Sequence, residues 1–163
     1  MRLIYIASAK SIHSLRWIKF FSQKYKISWI TTSTANKETI KEFRELNKSV
    51  EILNLSKARN FIRIIKILLF EKGNVIHLHY LGWHSLIIGM LKSNSKLILT
   101  PWGSDLLINI SFLKKIWLRY LFKRSSYTIC DSERLKKISI ELGAKVNKIK
   151  ICMFGIDTKI YKS

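Results

Sequence analysis

Short apolar, β-branched runs alternate with helical apolar spacings along almost the whole chain, and this alternation restricts the fold more than any other feature. The pattern predicts strands at Leu3–Ala7, Ile27–Thr32, Val50–Leu53, Val75–His79, Lys96–Thr100, Tyr127–Asp131 and Ile149–Met153. Between them, apolar residues every three or four positions predict helices at His13–Tyr25, Lys37–Asn47, Ala58–Phe70 and Trp83–Leu91. Two more are predicted: one capped by Ser111 and running to Arg124, and one over Glu133–Leu142 that Gly143 ends. Nearly continuous apolar strands joined by helices imply a mostly parallel sheet covered on both faces. The expected fold is therefore a doubly wound, Rossmann-like α/β domain. In such sheets ligands bind beyond the carboxyl ends of the strands, where successive connections diverge to opposite faces.

Composition removes several alternatives. The chain of 163 residues is 48% apolar with a single proline, so it builds a core and is neither disordered nor linker-rich. Thirty Lys and Arg against ten Asp and Glu give a net charge of +20, which favours anionic partners: nucleic acid, phosphorylated substrates or acidic lipid. The bases are spread evenly, 15 on each side of Gly82, as a genome-wide compositional bias also produces. Cys130 and Cys152 form no CxxC pattern, which argues against a zinc site or a disulfide framework and for a reducing cytosol. The amino-terminal apolar run is too short for a signal peptide, and no stretch reaches the roughly 18–20 apolar residues of a membrane span. The expected compartment is therefore the cytoplasm.

Three strand-end loops carry the chemistry. After the first strand, Ser8-Ala9-Lys10-Ser11-Ile12-His13-Ser14 leads into Leu15-Arg16-Trp17. Its small residues admit a ligand close to the backbone, a helix amino terminus attracts an anion, and Lys10, His13 and Arg16 add donors. No glycine stands there, so no dinucleotide fingerprint is met. After the fourth strand, His77 and His79 share one side of the strand, and His79 and Tyr80 stand at its cleft end. Without a third ligand nearby the two histidines read as hydrogen-bonded groups rather than a metal site. After the fifth strand, Pro101-Trp102-Gly103-Ser104-Asp105 forms a specific turn. There Trp102 offers a stacking face and Ser104 and Asp105 offer bonds to hydroxyl groups; the plainer reading is that Ser104 or Asp105 caps the next helix.

Taken in order, Arg2–Ala7, His13-Ser14-Leu15-Arg16-Trp17, Val75-Ile76-His77-Leu78-His79-Tyr80 and Trp102-Gly103-Ser104-Asp105 resemble the amino-terminal domain of GT-B glycosyltransferases of family 4. Cys130-Asp131-Ser132-Glu133-Arg134-Leu135 and Phe154-Gly155-Ile156-Asp157-Thr158 match the same pattern, so the resemblance spans essentially the whole chain. It implies an acceptor-side domain over residues 1–153, with 154–163 opening an inter-domain hinge. The expected reaction is metal-free, retaining transfer of a sugar from a nucleotide-sugar to a cell-surface polysaccharide or glycolipid. The donor-binding domain lies outside this sequence, which leads to the expectation that the chain is a truncated or half enzyme, inactive alone and without a cofactor of its own.

The loop chemistry and the resemblance together make Lys10, His13, Arg16, His79, Tyr80, Trp102, Gly103 and Ser104 the expected substrate-binding residues and Asp105 the catalytic candidate. Many family members carry a histidine in the loop after the fifth strand, where this chain has Trp102. Either Asp105 takes part of that imidazole's role or Trp102 provides only a stacking surface.

Two rivals stand beside this reading: a basic nucleic-acid-binding α/β domain, and a subunit needing a separate donor-binding chain. No RNA-binding or helix-turn-helix signature supports the first. A peripheral position on the inner face of the cytoplasmic membrane is also expected. Arg59, Arg63 and Lys66 line one face of their helix, with Ile62, Ile65 and Leu69 on another. Lys115, Arg119 and Lys123 do the same opposite Leu113, Ile116, Trp117, Tyr120 and Leu121. The alternative is that these apolar faces pack on the sheet and leave the cations as a solvated surface.

Overall fold

The computed structural model describes residues 2–46, 50–70, 75–82, 84, 95–108 and 110–153. Seven strands form one sheet: β1 (Arg2–Ala7), β2 (Lys26–Thr31), β3 (Val50–Asn54), β4 (Val75–His79), β5 (Lys96–Thr100), β6 (Tyr127–Cys130) and β7 (Ile149–Ile151). Their order is β3-β2-β1-β4-β5-β6-β7, and every pairing is parallel. The expected mostly parallel, doubly wound sheet is thus met by a wholly parallel one. The direction of winding reverses between β1 and β4, which makes the gap beyond their carboxyl ends the switch point.

The helices are α1 (Ile12–Ser22), α2 (Lys37–Leu46), α3 (Ala58–Phe70), α4 (Ser104–Leu107), α5 (Phe112–Arg124) and α6 (Glu133–Glu141). Alternation along the strands sends side chains to two cores. Leu3, Tyr5, Ala7, Ile27 and Trp29 pack with Ile18 of α1 and Phe43 of α2. Ile4, Ile6, Ile76, Leu78, Leu97 and Leu99 face the other way, onto α3, α5 and α6.

Local chemistry sets the boundaries. Ser111 and Ser132 cap α5 and α6 by accepting from the amides of Lys114 and Leu135. Gly143 follows α6 at φ +99°, a left-handed conformation that an L side chain resists. The first helix stops at Ser22, short of the expected Tyr25, because the chain turns at Gln23 toward β2. The last strand ends at Ile151, although Cys152 still donates its amide to the Cys130 carbonyl. The spacing gave no sign of α4 or of the 3₁₀ turn at Val146–Lys148, since each lasts only about one turn. The helix expected at Trp83–Leu91 and the hinge expected at 154–163 lie outside the described residues.

On two helices the side that packs is not the apolar side singled out from the sequence. The sheet receives Ile64, Ile67 and Leu68 from α3 and Leu118, Leu121 and Phe122 from α5. Of the apolar residues singled out there, Ile62, Leu69, Leu113, Ile116 and Tyr120 are exposed, Ile65 and Trp117 are half-buried, and Leu121 is in the core. Both helices carry apolar residues on two opposite sides, so periodicity alone had two phases to choose between.

Candidate functional site

The loop after β1 is strapped to the loop after β2. The amide of Ala9 donates to Thr31 Oγ1 at 3.1 Å and to Ser33 Oγ at 2.9 Å, and Ser8 Oγ lies 2.9 Å from Ser33 Oγ. Ser11 then caps α1 by accepting from the amide of Ser14. These bonds hold a run of small side chains at the switch point.

The loop after β4 turns sharply. Tyr80 takes φ +69° while its amide donates to the Thr100 carbonyl at 3.1 Å, so the strand pair extends one residue into a left-handed turn. A bulky residue with positive φ is strained, and such strain concentrates at functional sites. Leu81 follows and is buried.

The loop after β5 is built around Asp105. Its carboxylate accepts from the amide of Leu81 at 2.7 Å and from the amide of Trp102 at 2.9 Å. Lys114 of α5 donates to the Asp105 carbonyl at 2.8 Å. The side chain is completely buried. Burial holds its carboxyl above the usual range, against the opposing pull of the Leu81, Trp102 and Asp105 amides and of Lys114. Gly103, at φ +93°, makes the turn that lets α4 begin. Asp105 therefore ties two loops together behind the cleft wall and does not line the cleft.

Beneath the cleft lies an aromatic and imidazole cluster. The Tyr5 hydroxyl bonds His79 Nε2, and His77 Nε2 lies 2.7 Å from Thr100 Oγ1. Trp17 of α1 meets both imidazoles edge-on, with centroids 5.4 Å from His77 and 5.2 Å from His79. Burial lowers the His77 pKa to about 3. It also holds His79 well below the usual range, helped by the neighbouring His77 and His13. Burial pushes the Tyr5 phenol well up, so it stays protonated beside the His79 imidazole. His79 Nδ1, on the other side of the ring, is buried and has no hydrogen-bond partner among the described residues.

The three loops enclose a cavity of about 290 Å³ lined by Ser8, Ser11, Ser14, His79, Tyr80, Trp102 and Ser104. Trp102 is its central wall: its ring lies 4.9 Å from His13 and 5.7 Å from His79. Of the residues expected at the site, His79, Tyr80, Trp102 and Ser104 line this cavity and His13 braces it from behind. Lys10 is exposed and lines neither this cavity nor the groove behind it. Arg16, with His13, lines that separate apolar groove of about 340 Å³, which runs along Trp17, Phe20 and Phe21 to Cys152 and Met153.

Sequence reasoning missed Ser8, Ser11 and Ser14 as lining residues and Tyr5 as the partner of His79. The signal for Tyr5 was present, because strand alternation and the pairing of Tyr5 with His77 put it on the histidine face. Among the described residues no group of three His, Cys, Asp or Glu gathers in metal-binding geometry.

Residues 2–132 match the sequence family described as "Glycosyl transferase 4-like". No curated protein matches the chain in sequence. Among solved structures, the whole chain superposes on the Anabaena protein Alr3699/HepE in complex with UDP-glucose, with a TM-score of 0.64 at 14% identity. The same protein with UDP gives 0.63 at 14%, and with UDP and glucose 0.63 at 15%. In each case all of this chain is covered but only 46–47% of the other, so it spans about half the length of the structures it matches.

Proposed function

The chain belongs to the glycosyl transferase 4-like family, and from that premise we propose that it is the acceptor-binding half of a retaining sugar transferase. The observation that carries the reading is the convergence of three loops, from β1, β4 and β5, on one cavity at the switch point of the sheet. Its chemistry suits a sugar. Trp102 presents an aromatic face, Ser8, Ser11 and Ser104 present hydroxyls, and the His79 imidazole adds a polar edge to the lining. The imidazoles of His13, in the first turn of α1, and His79, at the end of β4, flank the position where relatives carry their histidine. Asp105 acts as a positioning residue: it sets the backbone of Leu81 and Trp102 and so the two walls of the cleft.

Lys10 and Arg16 stand outside the acceptor cavity, where they are available to the phosphates of a donor held from across the cleft. The structures it resembles are about twice as long, and one of them holds UDP-glucose. In this reading a second α/β domain, on the same chain or on a separate one, binds the nucleotide-sugar. The acceptor is a polysaccharide or glycolipid being built at the cell surface. The domain needs no metal or cofactor of its own, and alone it gives no turnover, because transfer requires acceptor and activated sugar held together.

The test is a pair of titrations on residues 1–163 followed by tryptophan fluorescence. Sugar glycosides should quench Trp102 emission in the wild type but not in Trp102→Phe, while UDP-glucose should leave it unchanged. Turnover of any nucleotide-sugar by residues 1–163 alone overturns the half-enzyme assignment.

A further inference from the structure

The helix α5 packs on the sheet through Leu118, Leu121 and Phe122, and the opposite side of the same helix is also apolar. At 100° per residue, Phe112, Ile116, Tyr120 and Leu113 fall in one contiguous sector diametrically opposed to the buried one. Phe112 is 78% exposed and Leu113 69%. The segment leading into the helix continues the patch, with Ile108 60% exposed and Leu107 exposed beside it. Such a sector on a helix already anchored by its other face has no role in this core. Exposed contiguous apolar surface of this kind marks an interaction site.

We propose that this outer face of α5, with Leu107 and Ile108, docks the domain on an anionic lipid bilayer. Charge selects that occupant. Lys115, Arg119 and Lys123 are exposed along one flank of the apolar sector, and no Asp or Glu occurs between Asp105 and Asp131. Aliphatic side chains flanked by cations match a bilayer interface, where the former enter the acyl boundary and the latter meet lipid phosphates. A second copy of the chain, itself at +20, is repelled. A nucleic acid engages the cations but leaves Leu113, Ile116 and Ile108 in water, since aliphatic groups give bases no stacking surface.

Placement gives the docking a use. The first turn of α5 is fastened to the cleft by the bond from Lys114 to the Asp105 carbonyl, so Phe112 and Leu113 stand at the same edge of the sheet as Trp102. A bilayer held there presents the head group of a lipid-linked acceptor to the cavity. This consequence rests on the transferase reading; the docking itself does not.

The experiment is co-sedimentation of the purified protein with vesicles of phosphatidylcholine alone and of phosphatidylcholine mixed with phosphatidylglycerol, with no sugar present. Binding is expected to the mixed vesicles only and to weaken as salt rises. At about fivefold per cation near an anionic surface, Lys115→Gln/Arg119→Gln/Lys123→Gln should lower the partition coefficient on the order of a hundredfold. Phe112→Ser/Leu113→Ser should lower it at least tenfold with an unchanged circular dichroism melt, because both residues are exposed. A control pair of exposed lysines at the entry to β2, Lys24→Gln/Lys26→Gln, should bind as wild type. No binding to mixed vesicles overturns the proposal. So does an equal loss in the control pair, or full binding by Phe112→Ser/Leu113→Ser, which reduces the effect to unspecific adsorption. Tighter capture by an oligonucleotide than by mixed vesicles also overturns it. Glycoside quenching of Trp102 is measured separately, so failure of docking and failure of the acceptor site give different results.

Discussion

Replacing Asp105 by alanine separates a positioning role from a catalytic one. The carboxylate is the acceptor for two amides, Leu81 at 2.7 Å and Trp102 at 2.9 Å, and the residue is completely buried. Alanine leaves both buried N–H groups without their carboxylate partner. Each such orphan costs about 1–3 kcal/mol, so the variant should lose about 4 kcal/mol. For a domain of this size that is a fall of about 8–16 °C in melting temperature. Asp105→Asn keeps one acceptor oxygen and turns its amide against the other donor, so about half of that loss is expected. The assay is urea unfolding of residues 1–163 followed by circular dichroism, with the slope compared to confirm that the same surface is exposed. In both variants glycoside affinity should fall with stability, because Leu81 and Trp102 are the walls that move. A melting temperature within about 2 °C of wild type for Asp105→Ala would refute the loop-tying account and return Asp105 to candidacy as a reacting group.

Three further predictions follow from other parts of the cleft. His77 is held neutral by burial, with its pKa lowered from 6.5 to about 3, so its stabilising contribution is complete above pH 6.5 and is lost as the pH falls toward 3. The unfolded imidazole is half protonated at pH 6.5 and almost fully at 4.5, so that interval should cost about 2 kcal/mol from His77 alone; urea titrations across that range check it, and His77→Gln should flatten the slope. Tyr80→Gly should leave stability unchanged or slightly raised, since the left-handed strain disappears and an exposed ring is lost, while glycoside affinity measured by calorimetry drops. Gly103→Ala should lower stability by about 1–3 kcal/mol in thermal melts, because φ +93° strains any L side chain even though the added methyl meets only the Leu107 side chain at 3.6 Å.

Much of the fold was legible because the strands are buried on both faces and therefore read as uninterrupted apolar runs. Ile27–Thr31 and Lys96–Thr100 are recognisable from composition alone. Sequence order and the handedness of crossovers then leave few ways to arrange parallel strands. The failures have specific causes. On α3 and α5, apolar residues on opposite sides made the buried phase ambiguous, and the core took Ile64 and Leu118 rather than Ile62 and Leu113. At the site, residue type and loop identified Asp105, but its direction depends on where the Leu81 amide lies, 24 residues away in sequence. No local pattern encodes that distance. The same holds for Lys10, whose position in a ligand-facing loop suggested a donor although the straps from Ala9 to Thr31 and Ser33 leave it outside the cavity.

The central claim is that the cavity between the β1, β4 and β5 loops receives a sugar acceptor while the nucleotide-sugar is held elsewhere. Amide chemical-shift mapping of ¹⁵N-labelled residues 1–163 tests it most directly, with a panel of glycosides in one series and UDP-glucose in the other. The account predicts saturable shifts at Ser8, Ser11, Tyr80, Leu81, Trp102 and Ser104 with at least one glycoside, and no saturable shift there with UDP-glucose. Saturable UDP-glucose binding in this cavity, or glycoside shifts confined to other surfaces, would contradict it.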